Sequence, residues 1–86
     1  MDNHVVLNEL QIILDQLSID LKYARGYFDG GLFRYKDQTI IYLNRAHSED
    51  KHIKIITKEL QKYNLENLEI NPEILGFLEH PDQLVK

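Results

Sequence analysis

The sequence contains no cysteine, which excludes both a disulfide framework and a thiolate metal site. No run of apolar residues approaches the roughly 20 that a membrane-spanning helix needs. The first residues, from Met1 to His4, are polar and acidic, whereas a secretory signal peptide has a basic head and an apolar centre. We therefore expect a cytoplasmic protein without a membrane partner.

Positive charge is also scarce, because fourteen aspartates and glutamates outnumber ten lysines and arginines, giving a formal net charge of −4. Binding to a phosphate backbone requires a basic surface that displaces counterions, so we expect no nucleic-acid partner. Glycine and proline are few, and 43% of the residues are hydrophobic, which is typical of a globular protein. The length predicts one small domain, residues 1–86, with a core small enough that self-association would help it.

Hydrophobic spacing predicts an N-terminal helix over residues 4–17, with Asp2 or Asn3 as its N-cap. From Ile19 the apolar residues alternate with polar ones, which is typical of a half-buried strand. Residues 25–31 contain three glycines and predict a loop. A hairpin follows, in which residues 32–35 and 39–44 flank a turn at 36–38.

The C-terminal half predicts two helices. Ser48 is the N-cap of the first, whose buried stripe runs to Tyr63 and whose left-handed C-cap is Asn64. Asn71 and Pro72 begin a short helix to about Glu79, and we expect the tail, residues 81–86, to be frayed. The predicted fold class is α+β, with a three-stranded, largely antiparallel sheet and the element order α-β-β-β-α-α.

Three segments carry a resemblance to a known family: Ile41-Tyr42-Leu43-Asn44, then Ser48-Glu49, then Lys58-Glu59-Leu60. Their order and spacing resemble the ImmA/IrrE-type zinc metallopeptidases, in which a strand ending in Leu/Ile-Asn leads through a Ser-Glu cap into the helix that carries His-Glu-Leu-x-His. The similarity covers about residues 5–63. It implies a truncated zincin-like scaffold.

Two departures from the family motif remove its chemistry. A zincin needs two neutral imidazoles at i and i+4 of one helix, but this chain has Lys58 and Lys62 there, and an ammonium group has no lone pair for a metal. Glu59 matches the general base of the family, yet without a metal-bound water it has no proton to take. We therefore predict no metal site, no cofactor and no enzymatic activity.

The four histidines do not have the spacing of a metal site, and we expect each to be an exposed surface residue. The predicted strand over residues 39–44 has two interpretations. Its β-propensity places it at the centre of the sheet, whereas the family resemblance makes it an edge strand that could pair with a partner.

The loop and the following strand mix arginine with aromatic residues beside flexible glycines, which is typical of an interaction patch. The competing interpretation is that alternate members of the run pack in the core. The candidate binding residues are Arg25, Tyr27, Phe28, Asp29 and Glu59. We predict a non-catalytic interaction module that acts by protein–protein contact or homo-oligomerisation.

Two alternatives to this prediction stay open. In the first, the chain is a small-molecule-binding domain or an enzyme with a pocket near residues 25–31, where Arg25, Asp29 and Glu59 would converge. In the second, the chain is one subunit of a larger assembly and has no separate activity.

Overall fold

The computed structural model describes residues 2–79. Three helices and three strands follow one another in the order α-β-β-β-α-α, which confirms the predicted α+β class. Their bounds are α1 Asn3–Gln16, β1 Ile19–Ala24, β2 Gly31–Tyr35, β3 Gln38–Asn44, α2 Glu49–Leu60 and α3 Pro72–Glu79. The tail predicted to be frayed, residues 81–86, lies outside the described residues.

The predicted caps fix where the helices begin, because each accepts a hydrogen bond from a backbone N–H that has no partner within its helix. The Asp2 carboxylate accepts from the N–H of His4 at 3.2 Å. The Ser48 hydroxyl accepts from the N–H of Lys51 at 3.3 Å. Asn71 acts in the same way before α3.

The predicted end of α2 is wrong. The helix ends at Leu60, with Gln61 as its C-cap in a right-handed conformation, and Asn64 is not among the described non-glycine residues with positive φ. The Oδ1 atom of Asn64 instead accepts the N–H of Glu66 at 3.0 Å. Asparagine can form such a local turn in place of a helical one, so its presence alone does not mark a C-cap.

The sheet has the strand order β1-β3-β2 and is mixed, not largely antiparallel as predicted, because one of its two strand pairings is parallel. β1 and β3 are parallel, with Ala24 opposite Asn44, whereas β2 and β3 are antiparallel and joined by the two-residue turn Lys36-Asp37. β3 is thus the central strand, which confirms one interpretation and rules out its pairing with a partner as an edge strand. Its buried side chains explain this position, since Ile40, Ile41 and Leu43 are shielded best between two neighbours.

The helices cover one face of the sheet. Ile19, Ile41 and Leu43 join one hydrophobic core with Leu10 and Leu14 of α1 and with side chains of α2 and α3. Successive side chains of a strand point to opposite faces.

Phe33 and Tyr42 therefore lie on the face away from this core, where their rings meet edge to face at 5.6 Å. More than half of Phe33 remains exposed.

Within the part of the chain that the structure describes, no helix combines the length and the apolar character needed to cross a membrane.

Candidate functional site

Asn44, at the end of the central strand, organises the loop that follows β1. We call residues 25–30 the Tyr27 loop. The Nδ2 group of Asn44 donates hydrogen bonds to the carbonyl oxygens of Gly26 and Phe28, both at 2.8 Å. Asn44 is only 4% exposed, so these bonds form away from bulk water and fix the backbone on both sides of Tyr27.

The two aromatic residues of this loop have opposite environments. Tyr27 is fully exposed, with a relative accessibility of 110%, because its two neighbours are turned towards Asn44. Phe28 is half-buried, and a Cβ atom on Gly26 would lie 3.3 Å from its ring. Adjacent aromatic residues of the loop therefore differ in exposure, and the sequence pattern could not assign them.

Gly30 lets the loop return close to the sheet. Its φ is +98°, and a Cβ atom at this position would lie 2.7 Å from the carbonyl oxygen of Tyr42. Any larger residue would meet both a strained backbone conformation and a steric clash. The Tyr27 loop is therefore held by Asn44 at Gly26 and Phe28 and by close contact with β3 at Gly30.

Asn44 also forms hydrogen bonds with α2 and with the turn that follows β3. Its carbonyl oxygen accepts a hydrogen bond from Nε2 of His52 at 2.7 Å, and its Oδ1 accepts from the N–H of Ala46 at 3.0 Å. The His52 ring lies edge-on to Tyr23, 5.4 Å between centroids. His52 is 7% exposed, so the prediction that it is a surface histidine is wrong. Its ring packs against Tyr23 of the sheet, and its ring N–H donates to the Asn44 carbonyl.

Charged side chains surround the loop. Arg25 follows β1 and Arg45 follows β3, and both are exposed. Asp29 is directed towards α2, where its carboxylate lies 3.7 Å from the Lys51 ammonium group. This pair is largely solvated and contributes little stability, but it places the only acidic side chain of the loop on the side of α2.

The structure does not bring Glu59 together with the loop. Its carboxylate forms an ion pair with Lys62 at 2.9 Å. It lines a cavity of about 280 Å³ whose other walls are Leu32, Arg34, Lys62 and Tyr63, with no member of the Tyr27 loop among them. Arg25, Tyr27, Phe28 and Asp29 form one neighbourhood, and Glu59 belongs to another.

The two lysines at the metal-ligand positions of the zincin motif do not face each other across a helical turn. Lys58 is exposed in the last turn of α2, whereas Lys62 lies beyond Leu60, the last helical residue. Among the described residues, no group of three histidine or carboxylate side chains could hold a metal ion.

A second, larger cavity of about 440 Å³ lies between the end of α2, the connection to α3, and α3 itself. Its walls are mainly aliphatic and include Leu60, Leu65, Leu68, Ile70 and Leu75. Its polar lining residues are Gln61, Tyr63, Asn64 and Glu66, and no member of the Tyr27 loop lines it.

The chain matches no protein-family model, no curated protein and no solved structure. The resemblance to ImmA/IrrE-type peptidases stays a prediction from the sequence.

Sequence reasoning missed the role of Asn44 and the neighbourhood of Arg45. The available signal for Asn44 was its position as the last residue of a buried strand, because a buried asparagine needs hydrogen-bond partners for its amide. Arg45 becomes a neighbour of Arg25 only through the parallel register of β1 and β3, which the sequence did not predict.

Proposed function

We propose that this chain is a non-catalytic interaction module that binds a protein partner through the Tyr27 loop. One observation carries the proposal: a buried asparagine fixes the carbonyl groups on both sides of a fully exposed tyrosine. Tyrosine is among the residues that dominate binding energy at interfaces.

The fixed backbone gives this tyrosine an advantage as a binding anchor. A flexible loop loses conformational freedom when it binds, whereas a loop already held in one conformation loses less. Asn44 and Gly30 supply that restraint from within the fold. Tyrosine itself has few rotatable bonds, so ordering its side chain on a partner costs little entropy.

The proposal does not assign a reaction to any residue. The one carboxylate that matches the peptidase motif, Glu59, is engaged by Lys62. A pocket shared by Arg25, Asp29 and Glu59 was the basis of the small-molecule alternative, and Glu59 lines a separate cavity. A contact surface at the loop accounts for four of the five candidate binding residues, and we favour it for that reason.

The test is site-specific photo-crosslinking in the cells from which the protein comes. A photoreactive phenylalanine derivative replaces Tyr27, and a control variant carries it at Tyr35, which is 66% exposed on β2. We expect one dominant covalent product from position 27 that position 35 does not give. Mass spectrometry of the product then identifies either another protein or a second copy of this chain.

The purified partner allows a quantitative check. Truncation of Tyr27 to alanine should weaken binding by about tenfold or more, corresponding to the ~1–2 kcal/mol or more that an aromatic anchor contributes. The matched change Tyr35→Ala should leave the affinity within about a factor of two. Equal products from both positions, or no effect of Tyr27→Ala, would contradict the proposal.

A further inference from the structure

Two arginines follow the paired ends of β1 and β3: Arg25, the first residue of the Tyr27 loop, and Arg45. The parallel register places Ala24 opposite Asn44, so the next residues, Arg25 and Arg45, follow from adjacent strand ends. The hydrogen bond of 2.8 Å from the N–H of Arg45 to the carbonyl of Ala24 belongs to this last pair of the ladder, so the two arginines leave the sheet from neighbouring backbone positions. Neighbouring strands are about 4.8 Å apart, which brings the two side chains within reach of one group.

This arrangement is electrostatically unfavourable for the chain alone. Two positive charges that leave the backbone at neighbouring positions repel each other. Yet among the described side chains no carboxylate lies within 4 Å of either guanidinium group, and the loop carboxylate, Asp29, is directed to Lys51 instead. A local positive pair without its own counter-charge is a feature that a negative ligand would relieve.

We propose that Arg25 and Arg45 bind a carboxylate on an acidic segment of a protein partner, beside the Tyr27 anchor. The inference rests on the proposed function and adds the chemistry of the partner. Guanidinium groups bind carboxylates through two parallel N–H···O bonds, which fixes orientation as well as charge. An arginine pair next to an exposed tyrosine combines the two residue types that most often carry interface energy.

The same observations favour an acidic protein segment over a nucleic acid. A nucleic acid would present a row of phosphates, and its affinity comes from many basic contacts along the backbone. Here Lys51, the lysine that contacts the loop, is paired with Asp29, and the 92% exposed Asp29 would repel a continuing phosphate chain. A single carboxylate fits a site of this size.

The first experiment is an NMR titration of the isotope-labelled full chain with defined probes. The probe is a short synthetic peptide of alternating glutamate, serine and leucine residues, and its control has glutamine in place of every glutamate. A thymidine oligonucleotide of similar length is the nucleic-acid probe. The readouts are the side-chain Nε–H signals of Arg25 and Arg45 and the backbone amides of the Tyr27 loop.

We expect the acidic peptide to shift these signals. The glutamine peptide should bind with at least about tenfold lower affinity in the same titration, because it lacks the charge-assisted contact. The double variant Arg25→Gln/Arg45→Gln should show the same loss. The melting temperature of this variant should be unchanged or higher, because repulsion between the two arginines is gone. An unchanged melting temperature would show that the loss of binding is not caused by unfolding.

A matched charge variant separates specific recognition from general attraction. Lys36, in the turn at the opposite end of β3 from Asn44, and Lys62, beyond the end of α2, are both exposed, and Lys36→Gln/Lys62→Gln removes the same amount of charge. This variant should retain peptide binding at the loop. If both double variants weaken binding equally, or if the oligonucleotide shifts the loop signals more than the peptide does, the inference is overturned.

The outcomes also distinguish this inference from the proposed function. If crosslinking through position 27 captures a partner whose affinity is insensitive to Arg25→Gln/Arg45→Gln, the loop is a contact surface and the carboxylate site is wrong. If the acidic peptide binds the arginine pair but position 27 gives no dominant product, the carboxylate site stands and the tyrosine anchor is wrong.

Discussion

Replacing Asn44 with alanine is the most direct test of how the Tyr27 loop is held. The change removes three hydrogen bonds: two from Nδ2 to the carbonyls of Gly26 and Phe28, and one from the N–H of Ala46 to Oδ1. The side chain is 96% removed from solvent, so the lost amide leaves a small cavity as well.

The expected loss of unfolding free energy is about 2–3 kcal/mol. A typical intramolecular hydrogen bond contributes about 1 kcal/mol net, and a buried group left without a partner costs about 1–3 kcal/mol. We take the lower end of the ~1–3 kcal/mol range for each unpaired group, because Gly26 and Ala46 are exposed and water can reach their backbone groups. The total free energy of unfolding is roughly 0.05–0.15 kcal/mol per residue. For a chain of this length, the expected loss is therefore a large part of that total.

The assay is urea unfolding followed by circular dichroism, combined with amide hydrogen exchange. Exchange should accelerate in residues 26–30 and at Ala46, while the interior of α1 loses protection only in proportion to global stability. Asn44→Asp is the matched control. It keeps the Oδ1 acceptor but places a carboxylate against two carbonyl oxygens, so it should destabilise at least as much.

A loss below about 0.5 kcal/mol for Asn44→Ala, or unchanged exchange in the loop, would refute the reasoning.

Three smaller predictions concern other positions. Gly30→Ala should destabilise by at least about 1–3 kcal/mol, because the methyl group meets a β3 carbonyl at 2.7 Å, whereas Gly76→Ala, in an open position of α3, should stabilise by about 0.5–1 kcal/mol. Ser18 has φ +60° after α1, so Ser18→Gly should stabilise by about 0.5–1 kcal/mol in the same denaturation assay. Glu59→Gln should change stability by less than about 1 kcal/mol, because the partner Lys62 is 65% exposed.

Each of these predictions has an outcome that contradicts it. If both glycine variants lose equal stability, the clash at Gly30 is not the cause. If Ser18→Gly destabilises, the left-handed backbone there carries no strain that glycine relieves. A loss of several kcal/mol for Glu59→Gln would mean that the ion pair is governed by the 15% exposed Glu59 and not by the solvated Lys62.

Most helices and strands could be predicted from the sequence, because helix caps and β-propensity are properties of short segments. Asp2, Ser48 and Asn71 are caps in both the prediction and the structure, and the β-branched run in β3 gave the central strand. The end of α2 did not follow, because Asn64 satisfies a turn as well as a cap.

Strand pairing is a long-range property, and local patterns do not specify it. Residues 19–24 read as a strand, but nothing in their composition states that they run parallel to β3 rather than antiparallel to β2. The neighbourhood of Arg25 and Arg45 depends on that pairing, so half of the candidate carboxylate site was invisible in the sequence. For the same reason, the grouping of Glu59 with the loop residues rested on composition, and the structure places it elsewhere.

The strand order β1-β3-β2 also has a consequence for folding. The β2–β3 hairpin joins neighbouring segments through a two-residue turn, and such contacts form within microseconds. The pairing of β1 with β3 links residues 20 positions apart, such as Ala24 and Asn44, and must close a longer loop first. The hydrogen bond from Asn44 to the carbonyl of Gly26 depends on this closure, because Gly26 lies two residues after the end of β1. The proposed contact surface is therefore completed late in folding, and a partially folded chain in which β1 is still undocked would not present it.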